Sequence, residues 1–131
     1  MIVDTSALVA IIHYEPEAEL FQKIISEAEP ARLSAASYVE LGVVIARGRN
    51  PRISNTLDYF LDGAGIIIEP VTEKQARIAR EAYRDYGKGS GHPAGLNFGD
   101  CFAYALARDL GEPLLYKGTD FAHTDVRSAL K

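Results

Sequence analysis

A chain of 131 residues has room for one domain, 1–131, with a core of its own, and little room for a second. Its 47% hydrophobic and 24% charged residues exclude a disordered or fibrous chain, and the single cysteine, Cys101, excludes an internal disulfide or a paired-cysteine metal site. The net charge of −4, from 18 acidic and 14 basic residues, excludes a uniformly basic nucleic-acid binder, so any contact with a polyanion has to be local.

Ile2-Val3 is a short apolar run that reads as a buried strand ending at Asp4. Asp4 interrupts the apolar start at once and no later stretch reaches transmembrane length, so the chain is expected to be cytoplasmic, without a membrane role. Ala7 to His13 starts a helix, and Pro16 suits the first turn of a second one whose face holds Leu20, Phe21, Ile24 and Ile25. After Pro30, Ala31 to Ala35 reads as a second short strand and Ser37 to Arg47 as a strongly apolar helix. Gly48 to Pro51 breaks the pattern before a helix over Ile53 to Leu61, stopped by Gly63 and Gly65. The β-branched run Ile66-Ile67-Ile68, bounded by Gly65 and Pro70, predicts a buried strand. Thr72 to Tyr86 predicts a helix, with Thr72 and Gln75 placed as a capping box. Gly87 to Gly95 is a long glycine-rich loop of the kind that often carries function. Asn97 to Leu110 is a helix ended by Gly111, and Pro113 to Tyr116 a last strand. Strands alternate with helices throughout, which implies an α/β fold with a mostly parallel sheet and helices on both faces.

In such sheets ligands bind outside the carboxyl ends of the strands. Asp4 stands at one such end and Asp120 just past another, while Glu40 and Asp100 fall in the first turns of helices beside them. All four can converge on one edge of the sheet. At an effective dielectric near 20, two carboxylates ~4 Å apart repel by about 4 kcal/mol, so the cluster needs raised pKa values or a bound cation. Hard oxygen donors favour Mg²⁺, with Mn²⁺ as a substitute, and such a site serves phosphoryl chemistry. Each residue also has a plainer reading. Asp4, Thr5 or Ser6 would cap the following helix, Glu40 pairs in sequence with Ser37 as a capping box, Asp100 stands three residues after Asn97, and Gly118-Thr119-Asp120 is a plausible turn. Only the conjunction favours chemistry.

The stretches Met1-Ile2-Val3-Asp4-Thr5-Ser6-Ala7-Leu8-Val9-Ala10, Ala36-Ser37-Tyr38-Val39-Glu40, Leu96-Asn97-Phe98-Gly99-Asp100-Cys101-Phe102 and Leu114-Leu115-Tyr116-Lys117-Gly118-Thr119-Asp120-Phe121 resemble, in order and over nearly the whole chain, the PIN-domain nucleases. More narrowly they resemble the VapC toxins of bacterial toxin–antitoxin pairs. The resemblance implies a three-layer PIN-like fold with a short-stranded sheet. It implies a Mg²⁺-dependent endoribonuclease acting on structured cellular RNA, held in check by a VapB-like antitoxin, and a homodimer. It makes Asp4 and Asp100 the principal metal ligands, with Glu40 and Asp120 completing the catalytic cluster and Thr5, Ser6 and Asn97 supporting it.

Basic residues divide into Arg47, Arg49 and Arg52 around one break, and Arg84, Lys88 and His92 around the glycine-rich loop. Lys88, Arg47 and Arg49 are candidates for RNA phosphate contact, against an ordinary solvated surface. Lys117, after the last strand, suits either a phosphate or a carboxylate. The scatter of His13, His92 and His123 argues against histidine acid–base cleavage, and Cys101 reads as a small core residue. Three other readings stay open. A receiver-like signalling domain would use Asp, Mg²⁺ and Lys117, but Glu69-Pro70 stand where its phosphate-accepting Asp belongs. A catalytically inactive PIN-like binding module conflicts with four intact carboxylates. A DNA-directed nuclease would use the same chemistry, since the 2′-hydroxyl is read by contacts that sequence does not locate.

Overall fold

The computed structural model describes residues 1–130. In chain order the elements are β1 (Ile2–Val3), α1 (Thr5–Ile12), α2 (Ala18–Glu27), β2 (Ala31–Ser34), α3 (Ala35–Arg47), α4 (Pro51–Gly63), β3 (Ile66–Glu69), α5 (Glu73–Tyr86), α6 (Asp100–Leu110) and β4 (Leu114–Leu115), followed by a 3₁₀ turn over Asp120–His123. The strands form one parallel sheet in the order β3-β2-β1-β4. The α/β expectation holds in both the parallel sheet and its covering helices.

Strand alternation builds the layers. In the β1–β4 register, Ile2 pairs with Leu114 and Val3 with Leu115. Ile2 and Leu114 join the core under α5 and α6, while Val3 and Leu115 join Leu33, Leu41 and Phe21 in the core under α1 to α4. Two apolar cores therefore clamp a two-residue strand from both sides, and the residue after it has nowhere to go but the rim of the sheet. Beyond β4 the chain returns along its outer edge. Leu114 N–H donates to Arg127 O and Ala129 N–H to Leu114 O, each at 2.9 Å. Asp125 anchors this strap, accepting from Tyr104 Oη at 2.6 Å and pairing with Arg108 at 3.1 Å.

Several local expectations are corrected. The isoleucine run does form a strand, but a marginal one: Ile66 is buried, while Ile67 and Ile68 are 43% and 42% exposed. β3 is an edge strand with β2 on one side only, and Ile67 and Ile68 lie beyond the cover of the helices. The first helix begins at Thr5 rather than Ala7, because Asp4 caps it, accepting from Ser6 N–H at 3.0 Å. Pro16 precedes the second helix, which opens at Ala18. α3 is capped by Ser34, which accepts from Ala36 N–H, so Ser37 and Glu40 do not make the expected capping box. At α5 only half the box forms: Thr72 accepts from Gln75 N–H, while the Gln75 amide donates to Asp109 instead. The last helix starts at Asp100, three residues later than expected, after a turn made by Asn97, Phe98 and Gly99.

Candidate active site

The carboxyl ends of β1, β2 and β4 open on one rim of the sheet, and the local chemistry there follows from the caps. Asp4 is 3% exposed. One of its oxygens, Oδ2, caps α1, and the other, Oδ1, is buried without a hydrogen-bond partner among the described residues. Burial is the main cause that raises its pKa to about 6, Ser6 hydrogen bonds oppose the rise, and Glu40 adds repulsion. Asp100 is locked by a reciprocal pair: its Oδ2 accepts from Asn97 N–H at 3.0 Å, and its own N–H donates to Asn97 Oδ1 at 2.8 Å. Its carboxyl is pushed up to about 7, first by burial, with the Asn97 N–H opposing and with Asp4, Asp120 and Glu40 all repelling.

Two hydroxyls fix the frame. Thr5 Oγ1 donates to Ser37 O at 3.2 Å, tying α1 to α3. Ser6 Oγ accepts from Lys117 N–H at 3.0 Å, tying α1 to the end of β4. Together these elements enclose an open cleft of about 420 Å³ lined by Asp4, Thr5, Ser6, Glu40, Asn97, Asp100 and Asp120. Every residue expected in the catalytic cluster and its support thus faces one cleft, Asp120 from an exposed position at its edge. A larger groove of about 1020 Å³ between α2 and α4, with Ile25, Phe60 and Ala64 in its walls, lies apart from these carboxylates.

Other expected residues stand elsewhere. Lys88, Arg47 and Arg49 are exposed, and none of them lines the cleft. His92 staples its own loop, its Nδ1 accepting from Ala94 N–H and its ring set edge-on to Tyr86. Among the described residues no histidine lines the cleft. Cys101 is buried, as expected of a core residue, and burial pushes its thiol up to about 11. Lys117 meets carboxylates, with Nζ 3.2 Å from Glu15 and 3.4 Å from Glu17. Sequence reasoning missed Glu15, which lines the cleft from the turn after α1, and Val9 and Val44, which form its apolar wall. The i, i+4 step from Thr5 to Val9, and that from Glu40 to Val44, place both valines on the cleft faces of their helices.

The donors fit a hard divalent cation, though not as a closed cage. Among the described residues no three acidic, histidine or cysteine side chains are gathered tightly enough to enclose a metal as they stand. The unpartnered, buried Asp4 Oδ1 is the feature that a cation would satisfy, and the surrounding donors are carboxylate oxygens.

Comparison with known proteins now bears on this cleft. The model of the PIN domain family matches residues 1–127. The chain belongs to the PIN-domain family. Within that family it is 57% identical over 130 residues to the ribonuclease VapC28 of Mycobacterium tuberculosis, covering 99% of this chain and 98% of that one. Among solved structures, the sarcin–ricin loop cleaving toxin VapC20 of M. tuberculosis superposes with a TM-score of 0.73 at 18% identity, covering 96% of this chain and 98% of that one. A toxin–antitoxin complex from Klebsiella pneumoniae gives 0.72 at 18% identity, covering 95% and 92%. The chain is thus a VapC-type PIN-domain protein, and the two structural likenesses speak for its fold.

Proposed function

We propose that this PIN-domain protein is the toxin of a VapC-type pair, an endoribonuclease whose chemistry takes place in the acidic cleft with a divalent metal, Mg²⁺ or Mn²⁺. Asp4 and Asp100 are its direct ligands, and Glu40 and Asp120 complete the set. One observation carries the reading: Asp4, with one oxygen buried and unpartnered among the described residues, lines a cleft together with Glu15, Glu40, Asp100 and Asp120. When bound, the metal supplies a nucleophilic water at neutral pH and offsets charge on the phosphoryl group. The chain's own residues do the rest. The backbone N–H groups of Asn97 and Ser6 orient the carboxylates of Asp100 and Asp4, and the Thr5–Ser37 hydrogen bond ties the two walls together. Val9 and Val44 remove part of the water from one side.

The substrate is RNA and the regulatory partner a VapB-like antitoxin, working in the cytoplasm on a homodimeric, single-domain nuclease. The antitoxin is expected to present an arginine to the cleft, because a guanidinium fork satisfies two carboxylate oxygens at once. Purified protein incubated with total cellular RNA should cut it with Mg²⁺ or Mn²⁺ and stop in excess chelator. Cleavage that survives the chelator and fails in His92→Ala would replace the metal reading with histidine chemistry. The receiver-like reading has no support: Glu69 ends an edge strand and pairs with Arg32.

A further inference from the structure

Gly99 lacks a backbone reason to be glycine. Its φ of −63° and ψ of −38° are helical values open to every residue. What occupies its side-chain space is a carboxylate from another helix. A Cβ built on Gly99 would overlap Glu40 Oε2 and stand 2.6 Å from Glu40 Cδ. Gly42, two residues along α3 from Glu40, has nothing within 4 Å of the same position. The hydrogen bonds around the cleft hold Asp4, Asp100 and Ser6, and none of these reaches Glu40. Its place beside Asp100 is set by the shape of the α6 start.

We propose that Gly99 is a positioning residue: the missing methyl lets the Glu40 carboxylate close against the first turn of α6 and join Asp4 and Asp100 in the cluster. The proposal rests on the metal-cleft reading for its consequence, though not for its geometry. An alanine at 99 meets only the far end of a flexible side chain, so it displaces Glu40 without disturbing the backbone. Replacing glycine by alanine at a helical φ also restricts the unfolded chain, which favours folding.

The test uses the full chain and five variants: Gly99→Ala, Glu40→Gln, and the doubles Gly99→Ala/Glu40→Gln, Gly99→Ala/Glu40→Asp and Gly99→Ala/Glu40→Ala. Three readouts are taken: the metal-free melting temperature, Mn²⁺ affinity by titration calorimetry, and Mg²⁺-supported RNA cleavage. Gly99→Ala should melt at or above the parent temperature, yet lose roughly 10–100-fold in Mn²⁺ affinity and cleavage, as misplaced supporting groups at metal sites do. The loss should match that of Glu40→Gln and should not add to it in the double variant. Shortening the acid by one methylene in Gly99→Ala/Glu40→Asp should recover a large part of the lost affinity. Full activity and affinity in Gly99→Ala overturns the proposal, as does a loss that adds in full to that of Glu40→Gln. Should Gly99→Ala not fold, Gly99→Ala/Glu40→Ala must, because the space is then empty; failure of both overturns it as well. If the parent binds no Mn²⁺, the metal reading fails, and the positioning claim is decided by whether the Gly99→Ala cleavage loss vanishes in the Glu40→Gln background.

Discussion

Asp4 and Asp100 each do two jobs that sequence alone sets in competition. Asp4 caps α1 with one oxygen, keeps the other buried and unpartnered among the described residues, and lines the cleft, while Asp100 closes a reciprocal turn with Asn97 and lines the same space. Capping and a place in the acidic cleft are therefore not alternatives here. Asparagine caps about as well as aspartate, so the two jobs separate by mutation. Asp100→Asn and Asp4→Asn should melt higher than the parent without metal, because each removes one charge from a repelling group. Added Mg²⁺ should raise the parent's melting temperature, since a ligand specific to the folded state stabilises it by mass action. The two variants should lose most of that response and most cleavage, and Asp120→Asn, at the exposed edge, should lose less. An Asp100→Asn protein with the full Mg²⁺ shift would remove Asp100 from the metal site. The pH dependence follows from the same burial. Both carboxyls titrate above their ordinary 3.8, at about 6 and about 7, so the native state holds protons that the unfolded state has released. The stability they contribute is fully present below about pH 4 and is lost as pH rises through 6 to 7. Metal-free protein should therefore melt lower at pH 7.5 than at pH 5, and the slope should flatten in Asp4→Asn. A melting temperature that rises over this window in the parent, and is unaltered by the mutation, would contradict the burial argument.

Helix starts show what was legible and what was not. The four acidic residues could be placed on one rim because strand ends and helix starts are marked by strong local signals: apolar pairs, then Asp, Ser or Thr. The exact cap is a finer matter. Ser34 and Ser37 are both serines ahead of the apolar α3, and only the end of β2 at Ser34 decides between them. The glutamate three residues after Ser37 made the wrong serine look right, although that glutamate faces the cleft. Ser34→Ala should thus cost about 0.5–2 kcal/mol of stability through the lost cap. Ser37→Ala should be neutral or stabilising, because Ser37 Oγ is buried with no partner among the described residues and its removal relieves a desolvation cost. Denaturant melts of the two variants check this, and a larger loss in Ser37→Ala would reinstate the capping box. β3 was misjudged for a related reason. Three isoleucines report β-propensity, but whether a strand lies inside or at the margin depends on the order of strands, which no local pattern contains. Nor could spacing reveal Glu15 or the space at Gly99, since both depend on which helices meet across the cleft.

At the scale of the molecule, the acidic balance and the polyanionic substrate have to be reconciled. The cleft holds Lys117, but Glu15 and Glu17 already engage it. The exposed cations expected to meet phosphate, Lys88, Arg47 and Arg49, lie outside the cleft. If they supply the RNA affinity, Lys88→Ala and Arg47→Ala/Arg49→Ala should each raise KM with little change in kcat, and should flatten the fall of affinity with salt. Unchanged salt dependence in both would assign these cations to the solvated surface.

The two ends of the chain meet in this sheet. β1 is an inner strand whose partner β4 is the last to be made, and Ser6 is bonded to Lys117, 111 positions away. Asp4 is therefore made well before the strand and the loop that complete its surroundings. Until β4 and the strap behind it have emerged, Asp4 lacks the neighbour strand that sets its rim and Asp120 has not yet arrived. A nascent chain that ends short of β4 therefore carries Asp4 without the rim that gathers the four carboxylates.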